Sequence, residues 1–183
     1  MSGETSNSVA PSAESPAAAT PAGAEPRLFA DAMLGGLARW LRTLGLDVAY
    51  DPALDDAALV ELSAREGRVI LTRDRKLVER RLARRHLLVA SDQVGEQLRQ
   101  VLGELSIAVD PTRVLSRCLR CNVPLAELPA ELALPRVPPF VARTQRQFRE
   151  CPACHRVYWP ATHASRMRQR LAALGIDLDD HAS

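Results

Sequence analysis

Two sets of side chains in this sequence are spaced for chemistry. Aspartates stand at or just past the ends of four apolar segments. Asp31 closes "RLFAD", Asp55 and Asp56 follow "DVAYDPAL", Asp74 follows "RVILTR" and Asp92 follows "HLLVAS". Four cysteines form two C-x-x-C pairs, "CLRC" (Cys118, Cys121) and "CPAC" (Cys151, Cys154). Carboxylates drawn together repel unless a cation sits among them, and hard cations such as Mg²⁺ or Mn²⁺ prefer oxygen ligands. One or two such ions activate water and stabilise the leaving oxygen in phosphodiester hydrolysis. Four thiolates suit tetrahedral Zn²⁺ and leave no open position, so that metal is expected to be structural.

The elements that must carry these groups alternate. "LFAD" reads as a short strand, and "LGGLARWLRTLG" as a helix with Leu34, Leu37, Leu41 and Leu44 on one face and a stop at Gly45. "DVAY" is a second strand, "DDAALVELSAREG" a second helix, "RVILT" a third strand and "DRKLVERRLARR" a third helix. "HLLVA" and "DQVGEQLRQVLGEL" complete a fourth pair. Four strand–helix pairs with short joints predict an α/β fold, a parallel sheet flanked by helices. Ligands of such sheets bind outside the carboxyl ends of the strands, where Asp31, Asp55 and Asp56, Asp74 and Asp92 fall.

Each acid has a plainer reading. Asp55 or Asp56, Asp74, and Ser91 or Asp92 all suit helix N-caps. Asp31 fits that role less well, because it closes an apolar strand and the next helix starts two or three residues later. A charge left there must be solvated, hydrogen-bonded, paired or bound to a metal.

The charge pattern leans toward anionic partners. The chain carries 24 basic and 22 acidic residues, a net +2, and residues 1–26 hold three Glu and no base. Only Lys76 is a lysine. Arginine grips phosphate with a planar fork, although Arg-favouring codon usage accounts for much of the bias. Arg73 and Arg75 flank Asp74 and are candidate phosphate contacts, with Arg39 on the first helix a weaker one. The final "HASRMRQRLAALG" reads as a short basic helix.

Other chemistries lack their signatures. There is no G-x-x-x-x-G-K-[ST] loop and no G-x-G-x-x-G after the first strand. Met33 stands where a phosphatase with a strand-end Asp nucleophile would want a second Asp, and no nucleophile elbow is visible. No apolar run is long enough to span a membrane. The N-terminus lacks the features of a secretory signal, so a cytoplasmic location is the default expectation. The spacer "LPRVPPFVARTQRQF" is too rich in proline for a continuous helix. Phe140, Phe148, Tyr158 and Trp159 are expected to form the small core of a ribbon, with base stacking as the alternative. His155 and His163 are left without a role by the complete cysteine set.

Taken together, "LFADAMLGGLARWLRTLGLDVAYD", "DDAALVELSAREGRVILTRDRKL", "SDQVGEQL" and "CPACHRVYWPATHASRM" resemble the Mut-seven C-terminal RNase family, in order from about Arg27 to about Met167. The resemblance implies a PIN-like nuclease core followed by a small four-cysteine zinc ribbon. It also implies metal-dependent cleavage of RNA by an acid cluster. The family's acids match Asp31, Asp56 (better than Asp55), Asp74 and Asp92. The sequence departs from the family at Gly36, where members often carry Lys, at Gln145, where His is common, and at His155, where Gly is common. The expected organisation is a disordered tail over residues 1–26, the PIN-like domain over 27–110, the zinc ribbon over 111–165, and a C-terminal helix and tail over 166–183. A non-catalytic RNA- or ribosome-binding protein is the rival reading, and a toxin of a toxin–antitoxin pair is a third. The oligomeric state is open.

Overall fold

Strands whose residues alternate between two apolar cores build the first half of the chain. The computed structural model describes residues 25–159, 169 and 171–176. Residues 1–24 of the expected tail, the bases Arg166, Arg168 and Arg170, and His163 lie outside the described residues. Strands β1 (Leu28–Ala30), β2 (Val48–Tyr50), β3 (Val69–Thr72) and β4 (His86–Leu88) pair in parallel in the order β2-β1-β3-β4. Leu28, Ala30, Val48, Val69, Leu71 and Leu87 face one side of the sheet, and Phe29 and Ile70 the other. A sheet buried on both faces needs helices on both.

Helices α1 (Gly35–Thr43) and α4 (Val94–Glu104) cover the first face with Leu37, Ala38, Leu41, Leu98 and Val101, joined by Leu34 from the 3₁₀ turn before α1. Leu171 and Ile176 return to the same core. Helices α2 (Asp56–Glu66) and α3 (Arg75–Val78) cover the second face with Leu59, Val60 and Leu77. Gly67 ends α2 in the left-handed region at φ 65°, the backbone state that glycine adopts without strain.

The third helix is much shorter than the sequence pattern predicts. Only Arg75–Val78 is helical, and the chain then passes through turns to β4. Arg80, Arg81, Arg84 and Arg85 would sit close together on a helix, where like charges three and four residues apart are unfavourable. The turns instead bury Ala83 and leave Leu82 exposed.

A second, antiparallel sheet follows. Its order is β5 (Ala126–Leu128), β6 (Phe148–Glu150), β7 (Val157–Tyr158). The proline-rich spacer breaks as expected into α5 (Ala130–Ala133), a 3₁₀ turn and α6 (Pro139–Thr144). Leu128, Ala133, Val141 and Phe148 form its core, with Val157 and Trp159 packed against it.

Candidate active site and metal centre

The strand order sets where a ligand can enter. From β1 the chain runs to β2 on one side, while β3 and β4 lie on the other. The switch point therefore falls between β1 and β3, the usual crevice of open α/β sheets. Asp31 directly follows β1 and is only 9% exposed. Its N–H continues the ladder to Leu71 O at 2.9 Å, and its Oδ2 accepts a hydrogen bond from the Thr72 hydroxyl at 2.7 Å. The same hydroxyl accepts from the N–H of Asp74 at 3.0 Å. Thr72 thus ties the ends of β1 and β3 together. Among the described residues no ion pair neutralises Asp31.

The other acids lie at the same edge with separate duties. Asp74 caps α3 by accepting from Lys76 N at 2.8 Å. Asp55 caps α2 by accepting from Ala58 N at 2.8 Å, which leaves Asp56 in the first turn, 3.4 Å from Arg80 Nη2. Asp92 is exposed and bonded to Gln93 Nε2 at 3.3 Å, while Ser91 Oγ accepts from Gln93 N and donates to Glu96. The four aspartates do not converge at metal-ligand spacing. Among the described residues, the one group of three or more His, Cys, Asp or Glu with donor atoms within 4.8 Å of one another is the cysteine set. Carboxylates at close range repel strongly in a partly dry site, and one of the four, Asp74, is already committed to a helix start. Arg39, Arg73 and Arg75 are exposed, the last two on either side of Asp74. Gly36 is exposed at the start of α1, with the Val94 side chain against it.

The thiols do converge. Cys118, Cys121, Cys151 and Cys154 place all four Sγ atoms within 4.8 Å of one another. Cys118 and Cys154 Sγ are 3.8 Å apart, the edge of a tetrahedron with metal–sulfur bonds of about 2.3 Å. Each C-x-x-C closes in the same way. Cys121 N points at Cys118 Sγ (3.3 Å) and Cys154 N at Cys151 Sγ (3.4 Å). Asn122 N and His155 N each bond back to the carbonyl of the first Cys at 2.9 Å. Those two residues take the left-handed backbone, φ 66° and 56°, so His155 occupies a position suited to Gly.

The metal-free thiols titrate far apart. Burial pushes Cys118 up, but hydrogen bonds from the Tyr158 hydroxyl and the N–H groups of Cys121 and Arg120 bring it down to about 6. Sharing hydrogen bonds with Cys154 and Cys118, together with burial, pushes Cys121 up to about 12. Four crowded thiols do not ionise together without a cation, and a divalent soft-ligand metal supplies one. The donor set fits zinc.

Several supporting residues escape a reading of the sequence alone. Thr72 had one signal, a polar residue ending a fully buried strand. Arg42 had another, its place on the apolar stripe of α1; its side chain is 4% exposed. Tyr158, whose hydroxyl lies 3.1 Å from Cys118 Sγ and accepts from Leu119 N, had none.

Comparisons with known proteins bear on the whole of this arrangement. No solved structure matches the chain. The protein named exonuclease mut-7 homolog from Homo sapiens is 36% identical over 101 residues, which is 52% of this chain and 12% of that protein. This chain therefore spans only a small part of that relative. The family described as the Mut7-C RNAse domain matches residues 26–171, which take in the parallel sheet, the acid edge and both cysteine pairs, and the chain belongs to that family.

Proposed function

We propose that the protein is a metal-dependent endoribonuclease that hydrolyses RNA phosphodiester bonds at the carboxyl edge of its parallel sheet. The observation that carries this reading is Asp31, a buried carboxylate at the switch point with a Thr72 hydrogen bond and no cationic partner among the described residues. Asp31, Asp56, Asp74 and Asp92, which do not stand at metal-ligand spacing here, would hold Mg²⁺ or Mn²⁺ once drawn together by the ion and the substrate. Such an ion supplies a water of lowered pKa and neutralises charge that builds on the phosphate and the leaving oxygen. Thr72 fixes the direction of the Asp31 carboxylate and the path of the backbone into Asp74. Arg73, Arg75 and Arg39 meet flanking phosphates and set the position of the strand without reading its bases. The family's RNAse description supports RNA as the substrate. Zn²⁺ on the four cysteines is structural. The thiolate set is closed, and it lies at the amino end of β2, opposite the acids. No helix among the described residues is long and apolar enough to cross a membrane.

A cleavage assay on labelled RNA tests the site. Wild type and Asp31→Asn are compared with Mn²⁺, with Mg²⁺ and with neither. Metal-dependent cutting that the variant loses supports the reading. RNA that both proteins bind equally and neither cuts would replace it with a non-catalytic RNA-binding protein. A circular RNA decides whether cleavage is internal, since only an endonuclease opens it.

A further inference from the structure

The parallel sheet and the cysteine cluster meet at the outer edge of β2. An edge strand leaves its outward backbone groups unpaired unless something covers them. At Val48 both groups are covered by residues that also shape the first C-x-x-C turn. Val48 N donates to Asn122 Oδ1 at 3.0 Å, and Val48 O accepts from Arg42 Nε at 2.9 Å. Arg42 Nη1 donates to the carbonyls of Leu119 and Arg120, each at 3.0 Å. Those are the two residues between Cys118 and Cys121. Asn122 Nδ2 completes the clamp by donating to Asp47 Oδ1 at 2.7 Å.

Charge points the same way. A buried guanidinium is costly unless an opposite charge compensates it. The hydrogen-bond acceptors of Arg42 are all backbone carbonyls. Burial lowers its pKa from the usual arginine value. Four thiolates around a divalent ion carry excess negative charge, and Arg42 is a buried cation beside them.

We infer that the zinc-loaded Cys118–Cys121 turn is a built-in brace of the α/β core, closing the free edge of β2, with Arg42 as the positioning residue that links the metal centre to α1. Arg42 bonds to the carbonyls of Val48, Leu119 and Arg120, away from the acids of the carboxyl edge. It transmits the order of the metal turn to the last turn of α1 and to β2. The inference rests on zinc occupying the thiolates and is independent of the nuclease reading.

Amide hydrogen exchange on the full chain, zinc-loaded and zinc-stripped, tests it without any activity measurement. Stripping zinc is expected to raise exchange in the cysteine turns and also in peptides covering residues 40–50. Extra exchange confined to the cysteine turns, with 40–50 still protected, overturns the brace. Zinc release to a metallochromic chelator tests the residue. Arg42→Met is expected to release zinc about ten-fold faster or more, with Arg42→Lys in between. Release from Arg42→Met at the wild-type rate overturns its role. Should Arg42→Met not fold, Asn122→Gly keeps the left-handed backbone and removes only the amide clamp, and it is expected to expose 40–50 in part. Full protection there counts against the brace. A wild-type chain that takes up no zinc overturns the metal reading and the brace together.

Discussion

The two candidate metal centres are built in opposite ways. The cysteine cluster draws its donors from two local turns, each closed by its own N–H···S contacts, so the Sγ atoms meet wherever the turns meet. The acid edge draws its donors from four separate strand–helix joints. Its side chains cap helices or pair with neighbours, and only Asp31 and Asp74 are joined, through Thr72. The centres also lie at opposite edges of the sheet. Arg42 at the end of α1 and Val48 at the start of β2 put the thiolates at the amino edge, and three-residue strands separate the edges by roughly 10 Å. A closed, preformed site suits a structural ion, and a dispersed one suits ions that come with substrate.

The largest effect that would break this contrast is metal removal. The wild type should contain about one zinc per chain. Cys151→Ser should lose it together with the β5–β7 sheet, because structural zinc binding is folding free energy, on the order of 10 kcal/mol in small zinc peptides. Omitting Mg²⁺ and Mn²⁺ should leave the melting temperature almost unchanged while cleavage stops. A large drop in melting temperature without Mg²⁺ would mean that the acid edge is also a structural centre.

Next in size, Asp31→Asn should lower the cleavage rate by about a hundred-fold or more, the scale of losing one preorganised charge, while retaining the fold. Thr72→Val should cost about 1–2 kcal/mol in denaturant unfolding, because it leaves Asp31 and the Asp74 N–H without that partner. It should also slow cleavage. Asp55→Ala should cost about 1 kcal/mol for the lost cap and leave cleavage unchanged. A collapse in rate there would move the metal ligand from Asp56 to Asp55.

The smallest expected effect is electrostatic and belongs to the amino edge. Burial would raise the pKa of Asp47, but hydrogen bonds from Arg68 and Asn122 outweigh it and hold the group below its usual 3.8. Its contribution to stability is therefore complete above that value and is lost as the pH falls through the lower folded-state value. Thermal melts of wild type and Asp47→Asn in acid should converge as the pH drops below about 3.8. Parallel curves would mean that Asp47 is not titrating with folding.

The sequence by itself determined the four parallel strands, the helix between β2 and β3 with its stop at Gly67, and the pairing of the cysteines into two turns. Each depends on contacts a few residues apart, which periodicity, caps and C-x-x-C spacing report directly. It overextended α3, because a helical pattern does not weigh repulsion among clustered arginines against the turns that lead into β4. It could place four acids at one edge, since strand direction does that, but not say which are caps. That choice depends on single hydrogen bonds, such as Asp55 to Ala58 N. Only the tertiary structure decided the roles of Thr72, Arg42, Asn122 and Tyr158. Their side-chain partners include residues dozens of positions away, at Asp31, Leu119, Val48 and Cys118. A buried hydroxyl, guanidinium or amide takes whichever partner the packed core brings to it, and that is settled only when the sheet edges are assembled.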